Sequence, residues 1–237
     1  MRLPSAGRRL AVPLLWLAVA TIGAAQTPAP TDQWEPEIRA FEAADAISPP
    51  RPGAVLFIGS SSIRLWTTLA QDFPDIAVVN RGFGGSQIPD ATRFVPRIVL
   101  PYKPRLVVLY SGGNDINAGR TPEQVAADFD AFVKAVHAAL PDTRIAYISI
   151  AGNPARWAQV DRGKRANTLI EAATKADLRL GYIDVFAAML GTDGLPKPDI
   201  FVADRLHMNR EGYRIWTRVV APFLAAAGPL RASGGRL

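Results

Sequence analysis

Five short apolar runs recur along the chain, and each is nearly continuous in hydrophobicity instead of alternating with polar residues. Strands that are buried on both faces have this pattern, and parallel sheets bury both faces of their strands. The pattern therefore predicts five buried strands, at residues 55–58, 76–79, 106–110, 145–150 and 182–185.

The segments between these runs carry the periodicity of helices. The clearest helix begins at the capping residue Thr121, with Pro122 at its first position and Gln124 completing a capping box. Apolar residues then recur on one face of this helix: Val125, Phe129, Phe132, Val133, Val136 and Leu140. Weaker periodicity predicts helices at 34–46, 62–70, 87–100, 160–178 and 210–227.

The alternation of strands and helices predicts the fold class. It indicates a three-layer α/β/α sandwich, in which helices cover both faces of a sheet of about five mostly parallel strands. No repeat or second change in composition marks a domain boundary, so residues 34–231 are predicted to form one domain. Ligands bind such sheets at the carboxyl ends of the strands, so chemistry is expected just after each run.

The first 25 residues have the pattern of a signal peptide. Three Arg residues precede an apolar run at 10–22, and small residues follow at 23–25. We expect cleavage and export to the periplasm or the medium. An uncleaved membrane anchor is the alternative, but the run contains Pro13 and is shorter than the roughly 20 residues that a span needs. Residues 26–33 are predicted to be a flexible leader and residues 232–237 a frayed tail.

Composition restricts the classes of partner. The chain has no Cys, so it has no disulfide, and no lipid anchor can follow the apolar run. The net charge of +6 falls to about +3 without the predicted signal peptide, and the basic residues are scattered. We therefore expect no nucleic-acid partner and no stable membrane insertion of the mature chain.

One glycine and three serines follow the first predicted strand. Gly59 permits a tight turn, after which Ser61 would open a helix at the sheet edge. Amides at a helix N-terminus favour developing negative charge, which suits a nucleophile. The alternative is that Ser60, Ser61 and Ser62 only cap the helix.

Glycine-rich loops follow the second and third predicted strands. In the first, residues 80–86, Gly85 lets the backbone approach a ligand. A dinucleotide loop is disfavoured, because Gln87 stands where that motif needs its third glycine. In the second, Asn114 offers a side-chain amide that can donate to an oxyanion. Ordinary turns explain both loops equally well.

The chain has two histidines, and one of them is paired with an acid. Asp204 precedes His207 by three residues in a turn before a predicted helix, a spacing at which the two side chains can meet. The carboxylate would hold one imidazole nitrogen and leave the other free to take a proton from a serine. His137 lies within a predicted helix and is interpreted as structural or partly exposed.

These residues resemble the SGNH hydrolases, the GDSL-like lipase and esterase family. Ser61, Gly85, Asn114 and His207 follow the family's order of Ser, Gly, Asn and His, over about residues 55–216. The first block has Ser60 in place of the common Asp, which makes Ser62 the next candidate nucleophile. The sequence Gly-Ser-Ser-Ser-Ile-Arg is similar to the platelet-activating-factor acetylhydrolase type.

The resemblance implies a flavodoxin-like fold, no metal and no organic cofactor. It also implies that Ser61 attacks an ester carbonyl, that His207 transfers the proton and that Asp204 holds the imidazole. The oxyanion would lie among the amides of Ser61 and Gly85 and the side-chain amide of Asn114.

The expected function is a serine carboxylesterase acting on short acyl or acetyl esters, with carbohydrate esters as candidate substrates. The alternatives are a lipase or lysophospholipase, an acyltransferase on the same triad, and a non-catalytic glycan-binding protein. Trp157, Arg156 and Trp66 are candidate pocket residues, although the tryptophans would equally well pack at the edge of the core. The oligomeric state does not follow from the sequence.

Overall fold

The computed structural model describes residues 33–226. The predicted signal peptide at 1–25, the leader up to residue 32 and the predicted tail at 232–237 lie outside the described residues. Among the described residues, no helix is both long enough and apolar enough to cross a membrane.

A parallel sheet forms the centre of the described region. Its strands lie in the order β2-β1-β3-β4-β5, and every neighbouring pair is parallel. The strands are β1 (Val55–Gly59), β2 (Val78–Gly82), β3 (Leu106–Tyr110), β4 (Arg144–Ile148) and β5 (Leu180–Ile183). The predicted α/β fold with about five parallel strands is thus confirmed.

Two strands lie two to three residues from their predicted positions. Strand β2 was expected at 76–79, but its register pairs Val78 with Val55 and Gly82 with Gly59. Strand β5, expected at 182–185, ends at Ile183, which pairs with Ile148. Pairing with a neighbour sets these limits, and hydrophobicity alone does not report it.

The helices occupy the predicted segments, two of which are divided, except for the one at Gly113–Asn117, which lies in a predicted loop. They are α1 (Glu35–Ile47), α2 (Ser61–Arg64), α3 (Leu69–Asp72), α4 (Ile88–Arg93), α5 (Val95–Ile98), α6 (Gly113–Asn117), α7 (Pro122–His137), α8 (Val160–Lys175) and α9 (Arg210–Ala226). The helix predicted at 62–70 is two short helices. The one predicted at 87–100 is α4 and α5, because Pro96 has no N–H with which to continue α4.

Helices cover both faces of the sheet. Leu56 and Ile58 of β1 point into a core with α1, α4, α5, α6, α7 and α8. Val55 and Phe57 point into a second core with α2, α3 and α9. The chain leaves neighbouring strands β1 and β3 toward opposite edges of the sheet, and this reversal of strand order opens a crevice at their carboxyl ends.

Candidate active site

The turn after β1 places Ser61 at this crevice. Gly59 has φ +139°, and a Cβ at this position would lie 1.9 Å from the carbonyl oxygen of Tyr110. The amide of Ser60 donates to the same oxygen at 3.0 Å, which ties the turn to the end of β3. Helix α2 begins at Ser61, so its side chain lies where β1 ends.

The histidine loop, residues 201–209, orients His207. The Oδ1 atom of Asp204 accepts the backbone amides of Leu206 and His207, both at 2.9 Å. Its Oδ2 atom lies 2.6 Å from His207 Nδ1. Arg205 adopts a left-handed φ of +58° within this tight turn. The carboxylate therefore fixes both the backbone and the imidazole of the histidine.

The other imidazole nitrogen reaches the serine. His207 Nε2 lies 2.8 Å from Ser61 Oγ, although 146 residues separate them in the chain. The amide of His207, followed by its side chain and the amide of Leu206, lowers the pKa of Asp204 to about 2. At neutral pH the group behind the imidazole is therefore a carboxylate, which favours a proton on Nδ1 and leaves Nε2 as an acceptor.

Helix α9 follows the histidine loop and is anchored at its first residue. Arg210 donates to both carboxylate oxygens of Asp72, at 2.7 and 2.5 Å. Trp66 Nε1 donates to the same carboxylate at 2.7 Å. Burial raises the pKa of Asp72, but the hydrogen bonds, chiefly that of Arg210, outweigh it and lower the pKa to about 2.

The structure brings Asn114 into the same crevice. Gly112 precedes helix α6 with φ +106°, and the helix carries Asn114 in its first turn. Asn114 Nδ2 donates to the carbonyl of Ser86 at 3.0 Å, and Asn114 Oδ1 accepts from Arg156 Nη1 at 2.9 Å. Ser61, Asn114, Arg156 and His207 all line this crevice.

Gly85 lies near the crevice but does not line it. It is exposed with φ +77°, and it is not among the described residues that line the crevice beside Ser61. Its neighbour Ser86 contacts Asn114 through a carbonyl group. The loop is thus adjacent to the site, while the predicted role of the Gly85 amide stays a prediction.

The crevice beside Ser61 is small, and of the Lys, Arg, Asp and Glu side chains only that of Arg156 is among its described lining residues. The crevice holds a void of about 30 Å³, and its lining residues include no Asp or Glu. A second void of about 30 Å³ adjoins it and is lined mainly by apolar residues, among them Trp157 and Phe186. Of the predicted pocket residues, Arg156 lines both voids and Trp157 lines the second one.

The prediction that Trp66 lines the pocket is wrong. Its side chain is fully buried. The ring packs against four other aromatic residues, which are Phe57, Phe73, Tyr213 and Trp216. The indole is therefore part of the second core, because the turn between α2 and α3 directs it inward and away from the crevice.

Sequence reasoning did not single out two residues near the site. Tyr110 lines the crevice, and its hydroxyl hydrogen-bonds with the Ser62 side chain and the Ala151 backbone. Asp115 is fully buried, and its Oδ1 accepts the amide of Ile88 at 3.0 Å. The position of Tyr110 at the end of a central strand was the available signal, since that end faces the crevice.

Two further observations bear on the predicted site. His137 Nε2 lies 2.9 Å from the carbonyl of Thr143, outside the crevice. Within residues 33–226, no three or more side chains of the metal-binding types form a cluster that could hold an ion.

Solved structures with this fold are numerous, and none of the three described here exceeds 21% identity. A protein from Streptococcus pneumonia, provisionally described as a platelet activating factor, has TM-score 0.71 and 21% identity, covering 80% of this chain and 92% of its own. A GDSL-like lipase from Bacteroides thetaiotaomicron has TM-score 0.67 and 19% identity, covering 80% and 98%. A mutant of Axe2, an acetyl-xylooligosaccharide esterase from Geobacillus Stearmophilus, has TM-score 0.58 and 16% identity, covering 77% and 97%.

No curated protein matches the chain. The model of one family matches residues 59–215, which is more than half of the sequence and runs from the turn before Ser61 to helix α9. The chain therefore belongs to the GDSL-like lipase/acylhydrolase family and is an ester hydrolase.

Proposed function

We propose that this protein is a serine esterase that removes short acyl groups, chiefly acetyl, from carbohydrate esters, with Ser61, His207 and Asp204 as its triad. One observation carries the proposal: His207 bridges the other two residues, with Nε2 2.8 Å from Ser61 Oγ and Nδ1 2.6 Å from Asp204 Oδ2. A hydroxyl, an imidazole and a carboxylate in this order are the parts of a serine hydrolase triad.

The reaction follows from these contacts. Ser61 Oγ attacks the ester carbonyl while its proton passes to His207 Nε2. The tetrahedral oxyanion is stabilised by the Asn114 side-chain amide and by backbone amides at the start of α2. His207 then protonates the departing alcohol, leaving an acyl group on Ser61. Water, deprotonated by the same imidazole, releases the acid and restores the serine.

The size of the crevice supports a short acyl group. Each of the two voids has a volume of about 30 Å³. A single water occupies about 10–15 Å³ when the volume is measured in the same way. An acetyl group fits this space, and neither void is large enough to enclose the long acyl chain of a lipase or lysophospholipase substrate. The carbohydrate part is supported by Trp157, whose ring offers a surface on which a sugar can stack. The similarity to an acetyl-xylooligosaccharide esterase agrees with it.

The test compares two adjacent serines. Ser61→Ala is expected to lower kcat on p-nitrophenyl acetate by about 10⁴-fold or more and to abolish labelling by a fluorophosphonate. Ser62→Ala is the matched control and is expected to keep its labelling, because Ser62 contacts Tyr110 instead of His207. Equal activity of wild type and Ser61→Ala would exclude Ser61 as nucleophile. A folded wild type that neither hydrolyses esters nor takes the label would favour the glycan-binding alternative.

The proposed preference for acetylated carbohydrates is tested by comparing substrates. Acetate release from acetylated xylo-oligosaccharides is expected to exceed hydrolysis of p-nitrophenyl octanoate by the same preparation. Addition of acceptor alcohols separates hydrolysis from acyl transfer, since a transferase would form new ester in place of free acetate. Exclusive activity on long-chain esters would contradict the proposal.

We also propose that the protein is exported through cleavage of the signal peptide at residues 1–25. The proposal rests on the three Arg residues, the apolar run and the small residues that follow it. Mass spectrometry of protein from the periplasm or medium is expected to find an N-terminus near residue 26. An intact N-terminus in the membrane fraction would favour the uncleaved anchor.

A further inference from the structure

The Arg156 side chain hydrogen-bonds to Asn114, the proposed oxyanion donor, and does not project unpaired into the crevice. Arg156 belongs to the β4 loop, which we define as residues 151–159 after strand β4. The Asn153 side chain accepts the amide of Arg156 at 2.9 Å, and the backbone of Arg156 departs from helical geometry with φ −123° and ψ 23°. From this kink, Nη1 donates to Asn114 Oδ1 at 2.9 Å and to the carbonyl of Gly113 at 3.2 Å.

The contact fixes which way the Asn114 carboxamide faces. Asn114 Nδ2 donates to the carbonyl of Ser86 at 3.0 Å, so both ends of the carboxamide have a partner. A flipped carboxamide would present nitrogen to the guanidinium and oxygen to a carbonyl, losing both hydrogen bonds. The NH₂ group has two hydrogens, and one of them remains for the substrate.

The Arg156 guanidinium has no carboxylate partner of its own within residues 33–226. No ion pair joins Arg156 to any described residue, and the lining residues of both voids include no Asp or Glu. The guanidinium is partly buried, so water screens its hydrogen bond to Asn114 Oδ1 less than it would screen an exposed one. Donation to Oδ1 also polarises the amide and strengthens the remaining N–H as a donor.

We propose that Arg156 is a positioning residue of the oxyanion hole, which holds the Asn114 carboxamide in its donating orientation and polarises its N–H group. This inference rests on the proposed function, because it assigns Arg156 a part in the same hydrolysis. It differs from a direct role in substrate binding, since Arg156 acts through Asn114.

A double-mutant cycle tests the proposal. Asn114→Ala alone is expected to lower kcat by about 10²–10³-fold, the usual effect of removing an oxyanion donor. Arg156→Met, which keeps the length of the side chain without its donors, is expected to lower kcat about tenfold, in the range for a hydrogen bond to a charged group. The KM for uncharged p-nitrophenyl acetate stays within about twofold, since substrate binding alone does not need the oxyanion donor.

The combined variant gives the decisive comparison. In the Asn114→Ala background, Arg156→Met is expected to change kcat by less than about twofold, because its effect passes through the missing carboxamide. Arg156→Lys should recover part of the loss, and added guanidinium should raise kcat of Arg156→Ala but not of Asn114→Ala. These readouts would not respond to a merely structural loss.

Arg162→Met is the matched control. Arg162 also donates to a backbone carbonyl, that of Arg120 at 2.6 Å, but it does not line the crevice. Its kcat is expected to equal that of wild type. Multiplicative effects of Arg156→Met and Asn114→Ala, or a loss confined to KM, would overturn the proposal. An inactive wild type would instead refute the proposed function, so the two failures are distinguishable.

Discussion

Asp115 illustrates how a single side chain supports the site from behind. It follows Asn114 in the chain, and its Oδ1 accepts the amide of Ile88 at 3.0 Å, which joins helices α6 and α4. Its Oδ2 is buried without a hydrogen-bond partner among the described residues. Burial raises the pKa of Asp115 to about 6, because a desolvated carboxylate has lost its water without a compensating cation.

This carboxyl group is expected to make stability depend on pH. The folded protein binds the proton more tightly than the unfolded chain does, so stability is greatest below about pH 4 for this group and falls as pH rises toward about 6. A rise of the pKa from 3.8 to about 6 corresponds to a loss on the order of 3 kcal/mol. Asp115→Asn, which can still accept from Ile88, removes this term.

Urea unfolding of both proteins at pH 4 and pH 7 measures the difference. Wild type should lose more free energy of unfolding between these pH values than Asp115→Asn does, and the contributions of all other groups cancel in the comparison. Identical pH dependence in the two proteins would contradict a raised pKa.

At the scale of elements, the turn between β1 and α2 determines where the proposed nucleophile lies. Gly59 has a φ of +139°, and a Cβ atom added to it would lie 1.9 Å from the backbone oxygen of Tyr110. Both features forbid another residue, because the clash is with the main chain of β3 and cannot be relieved by moving a side chain.

Gly59→Ala is therefore expected to destabilise the protein by about 3 kcal/mol or more and to displace Ser61 from His207. Gly119→Ala is the control, since Gly119 has φ +96° but nothing within 4 Å of its Cβ position. It should cost only the strain of a left-handed residue, about 1–2 kcal/mol, and leave fluorophosphonate labelling intact. Equal free energies of unfolding for the two variants would show that the clash is relieved at little cost.

At the scale of the whole molecule, the site exists because four distant segments meet at one edge of the sheet. The turn after β1 carries Ser61, the start of α6 carries Asn114, the β4 loop carries Arg156, and the histidine loop carries His207. The last two are joined directly, since the amide of Ala155 donates to the carbonyl of Arg205 at 3.1 Å.

Ile150 lines both voids and is expected to restrict acyl length. Ile150→Ala should raise the ratio of activity on p-nitrophenyl butyrate to activity on the acetate, because removing the side chain joins and enlarges the space. Since Ile150 is 8% exposed, the same change should cost about 2–4 kcal/mol of unfolding free energy. An unchanged acyl preference would show that the acyl group binds elsewhere in the crevice.

The residues of the proposed site were predictable because their signals are local. Hydrophobic periodicity marks the strands, and the turn residues after each strand must lie at the edge where parallel strands end. The three-residue spacing of Asp204 and His207 likewise predicted their contact, which the structure places at 2.6 Å. The sequence by itself thus determined the layers of the fold and the segments that carry chemistry.

Only the tertiary structure decided which of these segments touch, and with which atoms. The 2.8 Å approach of His207 to Ser61 depends on sheet order and on the packing of α9, which is anchored by Arg210 on Asp72. The core position of Trp66 and the contact of Arg156 with Asn114 depend on how turns are oriented against distant neighbours. Such contacts are set by the register and packing of the whole chain, and local sequence patterns do not predict them.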